Sequence, residues 1–423
     1  MRLAFFSPLP PAPTGIADYA ADVLALLAAR HDVVAFHDQD GVDAGFLACA
    51  VARADSFAAH GSFDATVFQL GNGPGHDFVY RWLPRAPGLL VLHDLVLHHA
   101  RARMFLAAPE ALAYAAAPHN ALLRAAAQAP LAAYEAELER SYPGRGRRLA
   151  DVHLSTVGTL LPYAYPLFRL PVETARVVGV HNGFMREAVL EEVPAARVAP
   201  IVMPAAPAPV DPGVVAALRA RLGFAPDDIV VGSFGLMTRE KRIETVARAV
   251  ARAASSVPRL RLLLAGPVPD ESALRSLLER RGVAGRTVVT GRVPLEALPA
   301  HIAAADLVLH LRYPTAGETS AALLRVLAQG RPAVVPDLPN LEEIPADAVV
   351  KLDVADEEGE ATRALLRLAA SPELRERLGR RAAAYAGAAH APRRCAASYE
   401  AALEEVRGAG GGLRESRHTW RRR

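Results

Sequence analysis

Residues Ala305–Val335 read ADLVLHLRYPTAGETSAALLRVLAQGRPAVV, and they decide the fold. Leu307–Leu311 is a short unbroken apolar run, the pattern of a strand buried on both faces of a parallel sheet. A turn-rich loop, Pro314-Thr315-Ala316-Gly317, follows it, and Glu318-Thr319-Ser320 is predicted to open a helix that stops at Gly330. Pro332–Val335 is the next buried strand. A helix start carries free N–H groups and the positive end of the helix dipole, so small hydroxyl residues there suit an anion such as phosphate. The same residues also suit a plain N-cap, with Thr319 or Ser320 accepting from the first turn.

The unit repeats outward in both directions. In the first half, strands are expected near Arg2–Ser7, Asp32–Phe36, Ala65–Leu70, Gly88–His93 and Arg176–His181. Helices are expected at about Ile16–Ala29, Gly75–Leu83 and Phe184–Leu190, and the alanine-rich Leu106–Ser141 reads as an inserted helical pair. In the second half, strands fall near Ile229–Phe234, Leu260–Ala265, Thr287–Thr290, Asp306–Leu311, Ala333–Pro336 and Ala348–Leu352. Helices fill the gaps at about Glu240–Ser255, Glu271–Arg281, Pro294–Ala304 and Thr319–Gln329, and more close the chain at 357–388 and 392–407. Strands alternating with helices predict α/β domains with parallel sheets, whose ligands sit beyond the carboxyl ends of the strands. Between the halves, RVAPIVMPAAPAPVDPG (197–213) holds Pro200, Pro204, Pro207, Pro209 and Pro212 and reads as a stiff extended connector.

Size and balance agree. The chain has 423 residues, 52% of them hydrophobic, and single cores rarely grow beyond roughly 250–300 residues. Two domains, at most three, are therefore expected. A net charge of +3 and the lack of a zinc-finger or RNA-binding signature argue against a nucleic-acid partner. Cys49 and Cys395 are too few and too far apart for a disulfide framework or metal cage, which makes a reducing, cytoplasmic setting the expectation. The opening MRLAFFSPLPP is too short and too proline-broken for a signal peptide. No apolar run reaches the roughly 18–20 residues of a membrane helix; Ala107–Ala133 is interrupted by Glu110, His119, Asn120 and Arg124. The tail GAGGGLRESRHTWRRR ends in arginines and reads as a disordered basic terminus, solvated or touching anionic lipid at the membrane surface.

Three segments carry candidate chemistry. In VGSFGLMTREKRIET, Gly232 and Gly235 flank a strand end, and Arg239, Lys241 and Arg242 would form a cationic cluster near the sheet's carboxyl edge. Only two of the 48 basic residues are lysines, Lys241 and Lys351, so Lys241 marks a place suited to a compact ammonium. Charge-assisted bonds to phosphate are worth roughly 1.5–3 kcal/mol each, although a solvated helix face would show the same residues. Near the start, Thr14 and Gly15 precede a helix from Ile16, and Gly15 lets backbone approach a ligand closely. The segment lacks the GxGxxG spacing of dinucleotide binders. His93-Asp94 ends a buried strand, with His98 and His99 one helical turn on; the spacing does not match HExxH, and no metal is expected. Asp38-Gln39-Asp40 matches DxD only in form. A glycosidase would want two carboxylates about 5–10 Å apart, and only Glu318 is evident.

With these residues in view, the chain resembles the retaining glycosyltransferases of family four, which have the two-domain GT-B fold. The resemblance covers roughly residues 1–407. It rests on TGIADY, VLHD, the glycine-to-lysine segment Gly235–Lys241, GETS, QGRPAVV and the closing SYEAALEEV. QLGNGPGHDFVYRWL, VLHDLVLHH and RYPTAGETS are similar to a bacterial subgroup of sugar transferases. It implies two Rossmann-like domains facing across a cleft: an acceptor domain at 1–205 with a helical insertion, a nucleotide-sugar domain at 206–390, a helix at 391–407 returning to the first domain, and the tail at 408–423. It implies hexose transfer from a nucleotide diphosphate sugar to a glycan or lipid-linked acceptor in envelope or exopolysaccharide synthesis, with no cofactor or metal. Lys241 would neutralise the diphosphate, His93 would bond the transferred sugar, and Glu318 would take the place of the family's first glutamate. Thr14, Gly15, Gly235, Arg239, Arg242, Arg292, Val293, Gly317, Thr319 and Ser320 would hold the donor. Asn72, His76, Asp94 and His98 would serve the acceptor. Two departures stand out. Leu236 occupies the place of an arginine that usually follows the glycine, leaving Arg239 or Arg242 to compensate. The family's two glutamates fall on Gly317 and Arg325. A non-catalytic nucleotide-sugar binding or scaffold protein is the alternative these departures raise.

Overall fold

The computed structural model describes residues 1–118, 120–155 and 160–409. Their contacts divide the chain into two compact units. The first holds Met1–Ile201, the short segment Ala316–Glu318 and the chain from Ala396; the second holds Val202–Thr315 and Thr319–Cys395.

The first unit is built on seven strands: β1 (Arg2–Phe6), β2 (Asp32–His37), β3 (Ala50–Arg53), β4 (Ala65–Leu70), β5 (Leu89–Leu92), β6 (Val177–Val180) and β7 (Val198–Pro200). Every pairing is parallel and the order is β3-β2-β1-β4-β5-β6-β7. Strands β4 and β5 are buried at every residue, which is why they show as apolar runs rather than alternating patterns. Phe6 lies between Phe36 and Phe68 on the flanking strands, with ring centroids 5.0 and 4.6 Å away. Such offset-stacked contacts add about 0.5–1.5 kcal/mol per pair beyond area burial.

Two corrections concern the sheet's edges. β3 is short and half-exposed, so it has no apolar run to announce it. β7 lies inside the segment expected to be only a connector: Val198 pairs with Val178 and Pro200 with Val180. Pro200 is tolerated because β7 is an edge strand. The connector beyond it is also packed. Met203 and Ala205 are buried, and both bond His390, Met203 O to its ring Nδ1 and Ala205 N to its carbonyl.

Between β5 and β6 the expected helical pair is a larger insertion, with helices at His98–Leu106, Pro109–Ala116, Ala121–Ala126, Gln128–Ser141 and Gly146–Ser155. Pro109 begins one helix, and Asn120 begins the next by accepting from Leu122 N and Leu123 N. Tyr134 and Leu138 are the fully buried centre of this insertion. The closing helix, Pro392–Ala409, packs into the first unit through Tyr399, Ala402, Leu403 and Val406. The expected tail lies, from residue 410, outside the described residues.

The second unit has six parallel strands: β8 (Ile229–Phe234), β9 (Leu260–Ala265), β10 (Thr287–Gly291), β11 (Leu307–Leu309), β12 (Ala333–Pro336) and β13 (Val350–Leu352). Their order is β10-β9-β8-β11-β12-β13. A further helix, Pro212–Arg221, starts inside the expected connector: Asp211 accepts from Gly213 N and Val214 N, with Pro212 at the first helical position. In each sheet the strand order reverses once, between β1 and β4 and between β8 and β11. Those reversals are where doubly wound sheets open a crevice for ligands. Among the described residues, no helix is long and apolar enough to cross a membrane.

Candidate active site

At the reversal in the second sheet, β8 ends in a turn made possible by two glycines. Gly235 has φ +105°. Gly266 has φ +152°, and a Cβ there would stand 2.0 Å from Gly235 O. The turn is thereby pressed against the end of β9, with Gly235 N donating to Ala265 O at 3.0 Å. The 3-10 turn Arg239–Lys241 then brings Lys241 back under it. The Lys241 ammonium is buried and donates to Phe234 O at 2.9 Å. Burial, and then the nearby Arg312 guanidinium, push its pKa down to about 7. His310 is also buried; burial, Lys241 and Arg312 hold its ring well below the ordinary histidine value.

The three expected cations are therefore placed apart. Arg239 is exposed on the 3-10 turn. Arg242 takes a left-handed backbone, φ +56°, and its Nε donates to the buried Glu357 at 2.8 Å. The groups beside Lys241 are His310 and Arg312, from the end of β11. Sequence reasoning passed over both, although they lie inside its most informative stretch. Arg292 is exposed and Val293 half-buried just past the end of β10.

The GETS loop divides between the units. Ala316 O accepts from Leu95 N at 2.7 Å, and Gly317 O accepts from Asn182 Nδ2 at 2.9 Å. Gly317 has φ +80°, and a Cβ there would come 2.8 Å from the Leu95 side chain, so only glycine fits. Glu318 is buried, its Oε2 accepting from Ala316 N at 2.7 Å. The helix opens later than expected, at Ala321, because Ser320 is its N-cap and accepts from Leu323 N at 3.3 Å. Thr319, half-buried, precedes that cap.

In the first unit, Thr14 caps the helix Gly15–Ala28 by accepting from Ala17 N at 3.0 Å. Gly15 is exposed, and nothing lies within 4 Å of where its Cβ would be. His93 sits at the end of β5 in a buried network. Its Nε2 meets Gln69 Oε1 at 2.8 Å, Gln69 Nε2 donates to Tyr399 Oη at 3.0 Å, and the Tyr399 and Tyr19 hydroxyls share a bond of 2.7 Å. The His181 ring lies 4.9 Å from that of His93. Burial, then His181 and His76, hold His93 well below the ordinary value, so it is a neutral imidazole at pH 7. Tyr19, Gln69 and Tyr399 lie in TGIADY, QLGNGPGHDFVYRWL and SYEAALEEV, yet none is singled out there as a site residue; only the fold brings them and His181 together.

The four acceptor residues separate into two kinds. Asn72 and Asp94 are half-buried and joined, Asn72 N donating to Asp94 Oδ2 at 2.9 Å. His76 is buried beneath Gln69, its Nδ1 at 2.9 Å from Gln69 O, and burial pushes it down to about 4. His98, expected to serve the acceptor, is fully buried, with one ring nitrogen on Tyr165 O and the other on Tyr134 Oη. Asp38, of the DxD match, is paired with Arg53 and Arg81. Among the described residues, no group of three or more His, Cys, Asp or Glu is placed to hold a metal ion.

Comparison with known proteins points one way. Residues 215–385 match the family described as "Glycosyl transferases group 1". An alpha-D-kanosaminyltransferase of Streptomyces kanamyceticus is 30% identical over 170 residues, 40% of this chain and 43% of that protein. A D-inositol 3-phosphate glycosyltransferase of Nocardia farcinica is 31% identical over 234 residues, 50% of this chain and 51% of that one. The matches thus span about half the length of these relatives. Among solved structures, Anabaena HepE, crystallised with UDP and glucose, superposes with a TM-score of 0.66 at 15% identity, over 96% of this chain and 99% of that one. WaaG, a glycosyltransferase of lipopolysaccharide biosynthesis, gives 0.61 at 15%, over 93% and 98%. At these identities the structures establish the fold, which is GT-B: two parallel-sheet α/β domains with a helical C-terminus.

Proposed function

We propose that the chain is a retaining glycosyltransferase that moves a hexose from a nucleotide diphosphate sugar to a glycan or lipid-linked acceptor, without a metal. The observation that carries this reading is the buried Lys241 at the sheet reversal, beside the Arg312 guanidinium, the His310 ring and the turn at Gly235. An ammonium held out of water, with positive charge as its neighbour, is suited to receive an anion. The match of residues 215–385 to group 1 glycosyl transferases supports the same reading.

The chemistry then asks little covalent work of the protein. As the sugar–phosphate bond loosens, charge collects on the departing diphosphate, and Lys241 stabilises it where it develops. The glycosyl centre becomes oxocarbenium-like, and the acceptor oxygen attacks from the face the diphosphate leaves, passing its proton to a phosphate oxygen. His93, neutral and oriented by Gln69, bonds a hydroxyl of the transferred sugar. Glu318 shapes the loop through its bond to Ala316 N. Arg292 and Val293, past β10, border the base, and Asn72 and Asp94 face the acceptor. We place the reaction in the cytoplasm, with a lipid-linked acceptor offered at the inner membrane face during envelope or exopolysaccharide synthesis.

The test is donor turnover across a panel of UDP-, GDP- and ADP-hexoses, with and without an extract of lipid-linked oligosaccharides. Release of the nucleoside diphosphate from at least one donor supports the reading. Tight binding of a donor with no release by any acceptor would favour the scaffold alternative, and no binding of any donor would overturn both.

A further inference from the structure

Two phosphoryl groups reach a site that, by sequence, offers one buried ammonium. Leu236 follows Gly235 and is 47% exposed, so it supplies no charge. The nearest arginines in sequence are placed elsewhere, Arg239 in solvent and Arg242 on Glu357. We infer that Arg312, from the end of β11, is the second cation of the diphosphate site and a determinant of donor affinity. This rests on the reading of Lys241 given above and extends it to a residue that follows a different strand.

The topology makes the placement. β11 runs parallel to β8 with Leu307 opposite Val231 and Val308 opposite Gly232, so both strands reach the same carboxyl edge. Just past that edge, Tyr313 N donates to Glu240 O at 2.9 Å. This bond pins the residue after Arg312 to the residue before Lys241 and fixes the two cationic residues as neighbours. Lys241 and His310 both feel the Arg312 charge. Arg312 is half-buried, between full desolvation and full screening. A planar guanidinium presents a fork that takes two phosphate oxygens at once, whereas the ammonium acts as a point charge. An arginine and a lysine from the segments that follow two adjacent strands would thus hold the two phosphoryl groups.

Calorimetric titration with UDP, GDP and ADP at pH 8 tests this on the full chain. Arg312→Gln is expected to weaken the best-bound diphosphate by roughly 10–100-fold, the equivalent of one charge-assisted contact. Arg312→Lys should lose less, and adding Leu236→Arg to Arg312→Gln should recover most of the affinity. Removing the Arg312 charge also lets Lys241 hold its proton at higher pH, so the protons taken up on binding should fall; a merely structural residue would leave that number unchanged. Wild-type affinity in a folded Arg312→Gln protein would overturn the inference and leave the Lys241 reading standing. Failure of the wild-type protein to bind any diphosphate would remove both. If Arg312→Gln does not fold, equal affinities of Arg312→Lys and wild type, with equal proton uptake, would overturn it.

Discussion

At the scale of single residues, the account turns on the protonation of Lys241. Its pKa is pushed down to about 7 by burial and by Arg312, against an ordinary 10.5. A bound diphosphate favours the charged form and raises that value. Below pH 7 the lysine already carries its proton, and binding takes up none there. Above pH 7 binding must take up a proton, so affinity falls as pH rises, by up to about tenfold per pH unit for one coupled proton. Near pH 8 a free diphosphate, with a last pKa of roughly 6, is already ionised and does not confuse the count. Calorimetry in two buffers of different ionisation enthalpy is expected to show net uptake at pH 8 and almost none from the protein at pH 6. His93 makes a second prediction. Its Nε2 faces Gln69 Oε1, which faces on through Nε2 to Tyr399. Tyr399→Phe strands a buried amide donor and should cost about 1–3 kcal/mol of stability. Denaturant unfolding checks the cost, and the variant should also raise KM for the donor more than it lowers kcat.

At the scale of elements, the turn after β8 is the part that tolerates least. Gly266 meets Gly235 O so closely that any side chain would displace the turn carrying Lys241. Gly266→Ala is expected to destabilise the second unit by about 2 kcal/mol or more through strained backbone alone, visible as a lowered Tm, and to weaken diphosphate binding with it. Most of this unit was legible in its sequence. All six of its strands were foreseen: five hold buried residues and show as apolar runs between turn residues, while β10, nowhere buried, shows through its β-branched Thr287–Thr290. What was illegible has physical reasons. β7 holds a proline and three residues, so an edge strand looked like linker. Arg239, Lys241 and Arg242 read as one cluster, but a 3-10 turn and a left-handed Arg242 send the three side chains apart. Arg312 was hidden because its neighbour, Lys241, lies 71 positions earlier and meets it only through the pairing of β8 with β11. Ser320 takes the cap role, one of the two roles its sequence position left open.

At the scale of the whole molecule, the chain uses its ends to complete its first unit. The last described helix returns to the sheet that begins at Arg2, placing Tyr399 against Tyr19 and Gln69 and Glu400 against Arg30. Tyr399→Ala, which also leaves a cavity, should cost about 3–5 kcal/mol in that unit. Hydrogen exchange is expected to show faster exchange in β1, β4 and β5 and unchanged protection in β8 and β11.

The most direct measurement of the central claim is the rate of diphosphate release from the best donor by wild type and Lys241→Ala, with Tm followed in parallel. Loss of the buried ammonium is expected to cut kcat/KM by roughly 10²–10³-fold, the scale of one preorganised charge at a leaving group, while Tm stays the same or rises. Equal rates from two equally folded proteins would contradict the account.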